Sequence, residues 1–107
     1  MPLYVIRLTH PPDQCPTANS KIREMLAKGV PALPQLADKL GVKFLAGPLI
    51  IGDEHEGIAV VEAERIETVG DFVRQSGLVQ WNAVRVSMAQ PLQQALNELD
   101  KVPPPLY

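Results

Sequence analysis

The feature that most constrains this chain is the presence of apolar residues at both phases of its strand-like segments. Near the N-terminus Tyr4, Ile6 and Leu8 alternate with Leu3, Val5 and Arg7. Further on, Ile58 and Val60 alternate with Ala59 and Val61. Successive strand side chains point to opposite faces, so a sheet with one face in water should read polar at every second position. These strands do not, and a sheet covered on both sides is expected. Helices of the same chain cover one face. With 107 residues there is little chain left for the other. A domain of this size buries only about two-thirds of its unfolded surface, so cover from a second copy of the chain is the natural completion.

The boundaries are written largely in proline and glycine. Residues 3–9 read as a strand ended by Pro11-Pro12. After a polar loop, Ser20 is a fair helix cap, and Ile22, Met25, Leu26, Leu33, Leu36, Ala37 and Leu40 recur at helical spacing. Pro31 and Pro34 should divide this helix, with Pro34 starting a second piece, and Gly41 should stop it. Residues 42–51 form a second strand, interrupted at Gly47-Pro48, which predicts an edge position or a bulge. A polar turn, Gly52 to Gly57, leads to a third strand over 58–63. Thr68 to Asp71 resembles a capping box opening a helix with Val69, Phe72 and Val73 inward. A fourth strand over 83–88 and a last helix over 91–99, striped by Leu92, Ala95, Leu96 and Leu99, complete the domain, and 102–107 form an extended tail. The whole chain, 1–107, reads as one domain.

The order β-α-β-β-α-β-α, with right-handed crossovers, gives an α+β ferredoxin-like sandwich with a C-terminal helix and antiparallel sheet order 4-1-3-2. Composition narrows the partners. The net charge is −2 and the basic residues are scattered, so the stripe expected of a nucleic-acid binder is missing. No apolar run approaches the roughly 20 residues of a bilayer span, and the first residues do not resemble a signal peptide. The single cysteine, Cys15, excludes an internal disulfide. A cytoplasmic setting is expected.

On these residues the chain resembles the dimeric α/β-barrel superfamily of small ferredoxin-like proteins. Tyr4-Val5-Ile6 followed by Thr9-His10-Pro11-Pro12-Asp13-Gln14-Cys15-Pro16 is similar to the start of a bacterial family of uncharacterised function, in which a first strand also runs into a His-Pro…Cys-Pro loop. Glu54-His55 with Val60 to Ala63, and Val69 to Val73, fit the same plan. The resemblance implies the fold and a homodimer through the open sheet face. It implies no reaction, because members of the superfamily differ widely in chemistry.

The topology brings three segments to one edge: the loop with His10, Asp13 and Cys15, the hairpin with Asp53, Glu54 and His55, and the approach to strand four with Trp81 and Asn82. Two imidazoles and a thiolate, from His10, Cys15 and His55, are suitable ligands for zinc, copper or nickel. The plainer reading makes His10 a strand-end cap, Cys15 a small buried hydrophobe and His55 an exposed turn residue. Cys15 also stands where a thiol nucleophile could be helped by His10, although no recognisable Cys-His-Asn family signature accompanies it. Arg7 and Arg85 should lie side by side on the open face. They call for an anion, either a small carboxylate or phosphate held with Trp81 and Asn82, or an acidic side chain such as Glu62 or Glu64 from this chain or a partner. Trp81 and Phe44 are placed to line a pocket between sheet and helices, and the carboxylates Asp53, Glu54 and Glu56 share a solvated turn. Three function classes follow: a homodimeric binding protein for a small anion or transition metal, a cofactor-independent enzyme of monooxygenase or isomerase type built around His10 and Trp81, and a purely structural oligomer.

Overall fold

The computed structural model describes residues 1–106, so the last residue of the expected tail, Tyr107, lies outside the described residues. Strands β1 (Leu3–Thr9), β2 (Lys43–Ile50), β3 (Glu56–Glu62) and β4 (Ala83–Ala89) form one antiparallel sheet ordered β2-β3-β1-β4. This is the expected order read from the other edge. Helices α1 (Ser20–Gly29), α2 (Leu33–Leu40), α3 (Ile66–Gln75) and α4 (Leu92–Asn97) complete the α+β architecture.

Tyr4, Ile6 and Leu8 of β1 and Ala59 and Val61 of β3 are buried under α2 and α3, which contribute Ala37, Val69, Phe72 and Val73. The α3 residues are the sequence positions expected to face inward. Phe44 belongs to this core and meets Phe72 edge-on, with ring centroids 5.4 Å apart. Leu3, Val5, Ile58 and Val60 lie on the opposite face and are only half-buried. The sheet is therefore open on one side, where these apolar residues lie among Arg7, Glu56, Glu62, Arg85 and Ser87.

Local chemistry explains the boundaries. Pro34 sits in the first turn of α2, and Gly41 ends that helix with φ 79°, a conformation that favours glycine. β2 is an edge strand with register shifts around Ala46, as the Gly47-Pro48 pair suggested. At Gly47 a Cβ would stand 2.7 Å from the Ile58 carbonyl oxygen, so only glycine lets β2 approach β3 here.

Several boundaries moved. Asn19 rather than Ser20 caps α1, its side-chain oxygen accepting from Ile22 N–H at 3.1 Å. α3 begins at Ile66, two residues before Thr68, so the expected capping box lies inside the helix. β3 starts at Glu56 because the hairpin closes one residue after His55. The last helix is shorter than its stripe, and Leu92, Leu96 and Leu99 remain exposed. The Cα radius of gyration, 16.5 Å, exceeds the roughly 13 Å of a compact chain of this length. Among the described residues no helix is long and apolar enough to cross a membrane.

Candidate functional site

Three segments meet at the end of the sheet where β1 stops. The first is the loop after Thr9. Pro11-Pro12 ends the strand, and a single 3-10 turn over Pro12–Gln14 follows. Cys15 N–H donates to Pro12 O at 3.2 Å, and Cys15 O accepts from Ala18 and Asn19 N–H at 2.9 and 2.8 Å. Arg23 of α1 reaches back to the carbonyls of Pro16 and Thr17 at 2.8 and 3.0 Å. The loop is thus a hydrogen-bonded cage, and Cys15 is held rather than free.

The second segment is the β2–β3 hairpin. His55 has φ 56°, the only non-glycine with positive φ among the described residues. That conformation is costly for most side chains and better tolerated by His, Asn and Asp. Its carbonyl accepts from His10 N–H at 3.2 Å, which ties the hairpin to the first loop. The third segment enters β4, where Asn82 precedes the Thr9–Ala83 pair.

These segments bring His10, Cys15 and His55 together, with one potential ligand atom from each lying within 4.8 Å of the others. The His10 and His55 rings are 5.4 Å apart at 72°. Trp81 packs on the other side of His10 at 5.2 Å. Of the neighbouring acids, Asp53 and Glu54 stay exposed in the hairpin, and Asp13 contributes only its carbonyl, to Asn19 Nδ2 at 3.2 Å.

Asn82 settles which nitrogen of His10 is available. Asn82 Nδ2 donates to Leu78 O at 3.1 Å, so its Oδ1 is the atom facing His10 Nδ1 at 3.0 Å. An amide oxygen only accepts, so Nδ1 carries a hydrogen and donates. In neutral imidazole the lone pair then sits on Nε2, which is buried and has no hydrogen-bond partner among the described residues. Such an outer partner is what fixes the tautomer of a metal-ligating histidine.

Cys15 is buried by area, at 8% exposure. Its thiol is lowered from 9.0 to about 6, first by the Thr17 hydroxyl, which donates to Sγ at 3.0 Å, then by the Thr17 backbone N–H. The imidazoles of His10 and His55 lower it further, and burial opposes the change. A thiolate at neutral pH is the form that binds metals and attacks electrophiles. Donors around a four-coordinate ion stand roughly 3.4–3.7 Å apart, given metal–ligand bonds of about 2.0–2.3 Å. Closing this cluster onto an ion requires side-chain movement of about 1 Å.

The arginine pair came out differently from expectation. Arg7 and Arg85 do stand opposite each other across β1 and β4, both exposed. The acid that answers Arg7 is Glu56, at 2.9 Å, rather than Glu62 or Glu64. Thr9 pairs with Glu56 in the β1–β3 register, which puts that carboxylate near Arg7 on the same face. Half of the pair's positive charge is therefore neutralised within the chain, and Arg85 has no ion-pair partner among the described residues. Trp81 lines a shallow cleft of about 340 Å³ with Met25, Leu26, Val30, Leu33 and Leu78, whereas Phe44 borders a separate one beside α2. Sequence reasoning missed Thr17; its one signal was a hydroxyl two residues after the cysteine. Searches against protein-family models and against curated proteins returned no match.

Proposed function

We propose that this protein binds a transition metal, copper, zinc or nickel, through Cys15 Sγ, His10 Nε2 and one ring nitrogen of His55. The observation that carries the reading is the meeting of two imidazoles and a thiol within 4.8 Å, from segments forty residues apart in sequence. A lowered Cys15 thiol and a buried His10 Nε2 without a hydrogen-bond partner among the described residues support it, since a metal binds a thiolate and a free ring nitrogen. A left-handed backbone at His55 supports it too, because unfavourable conformations concentrate at functional positions. Titration of the protein with Zn²⁺, Cu⁺ and Ni²⁺ by calorimetry or chelator competition is the test. Dissociation constants well below 10 μM are expected, and binding weaker than about 10 μM for all three removes the reading.

The same reading makes the protein a ferredoxin-like homodimer of the dimeric α/β-barrel kind, with sheets face to face. Leu3, Val5, Ile58 and Val60 supply the apolar centre, and the unpaired Arg85 suits a carboxylate of the second copy. Sedimentation at micromolar concentration should give a dimer mass, and Val60→Lys should give monomer. A monomeric wild type sinks this part.

A further inference from the structure

The same three residues, together with Asn82, form a second arrangement when no metal is bound. Nucleophilic catalysis by cysteine needs a base within reach of the sulfur, and a third group that holds the base in the correct tautomer. It also needs a donor aimed at the oxyanion that forms during acyl transfer. The cluster holds a residue of the right chemistry for each part, and no hydrogen bond joins His10 Nε2 to Cys15 Sγ among the described residues. His10 Nε2 is the lone-pair nitrogen of its ring and lies buried in the cluster with Cys15. Asn82 Oδ1 holds His10 Nδ1 at 3.0 Å, and is itself fixed by its amide bond to Leu78 O. His55 presents a ring nitrogen within 4.8 Å of the sulfur from the opposite loop.

We propose that the metal-free protein is an acyl-transfer site in which Cys15 is the nucleophile, His10 the general base, Asn82 the positioning residue and His55 the oxyanion donor. The substrate is a short-chain activated acyl compound, a thioester or aryl ester, because a cysteine residue only 8% exposed admits a small acyl group and not a bulky one. Cys15 Sγ attacks the carbonyl carbon as the thiolate, its proton having passed to His10 Nε2, and the new C–S bond leaves a tetrahedral oxyanion hydrogen-bonded to His55. The C–S or C–O bond to the leaving group then breaks, and that group departs with the proton from His10. Acylated Cys15 remains, and water deprotonated by His10 Nε2 releases the carboxylic acid and restores the thiol. A bound metal would occupy the sulfur and His10 Nε2, so metal loading blocks the reaction.

The test is the full chain freed of metal by chelator, mixed with p-nitrophenyl acetate and with an acetyl thioester. A burst of leaving group and one acetyl group on Cys15, read by intact mass and peptide mapping, are expected. His10→Gln should slow the burst about 100-fold. Asn82→Leu should slow it at least about tenfold, whereas Asn82→Asp, which keeps an acceptor at Nδ1, should retain most of the rate. Acetylation no faster than that of the same chain unfolded in guanidinium overturns the proposal. So does a burst that survives His10→Gln in protein with native circular dichroism. The proposal is independent of the metal reading: acetylation in a protein that binds no metal leaves it standing and removes the other.

Discussion

His55→Gly should separate the backbone role of this residue from its chemical one, because the two act with opposite signs. At φ 56° a non-glycine residue is strained by about 1–2 kcal/mol. Glycine relieves that strain but loses about 0.4–1 kcal/mol through a more disordered unfolded chain. The metal-free variant should therefore lie between unchanged and about 1.6 kcal/mol more stable, which is up to roughly 6 °C in melting temperature for a chain of this size. Metal linkage moves the other way. Wild type with free metal at 100 times Kd gains about 2.7 kcal/mol, or roughly 10 °C. Losing one of three ligands should weaken binding by at least the roughly 100-fold seen for outer-shell losses. At the same metal concentration the gain then shrinks to about 0.4 kcal/mol. Differential scanning fluorimetry with and without Zn²⁺ measures both quantities. A metal-free variant several degrees less stable would mean that the imidazole is a packing residue. An undiminished Zn²⁺ shift would mean that it is not a ligand.

The lowered Cys15 thiol makes stability depend on pH. Between about 6 and 9.0 the unfolded chain binds the thiol proton and the folded chain does not. Stability from this group is therefore complete above 9.0, declines as pH falls through that window, and is gone below about 6. Urea midpoints of wild type and Cys15→Ala should converge as pH is lowered, and parallel curves would refute the shift. Asn82→Leu should weaken metal binding by about 10–100-fold in chelator competition, by releasing the His10 tautomer. Phe72→Ala, at a side chain 1% exposed between the helices and the sheet, should cost about 3–5 kcal/mol, read as a lower urea midpoint by circular dichroism. Glu56→Gln should cost under about 1 kcal/mol, and high salt should erase the difference, because the pair with Arg7 is largely solvated.

The strand phases, the prolines at element ends and the helical spacing over 20–40 are local properties, and they carry the element order and the sheet order directly. His10 and Cys15 share one loop, and topology alone brings the His55 hairpin to the same edge, so the composition of the cluster was legible from residues. What the site does with those residues was not. The Asn82–His10 bond spans seventy-two positions and depends on strand register and on which end of the amide faces the ring. Without it neither the lone pair on Nε2 nor the Cys-His-Asn relation exists. Glu56 answers Arg7 for the same reason, since one residue of hairpin length decides which face a carboxylate meets. Side-chain type and periodicity follow from the chain itself. Hydrogen-bond direction, tautomer and charge pairing depend on distances of a few ångströms between remote segments, and only tertiary packing decides those.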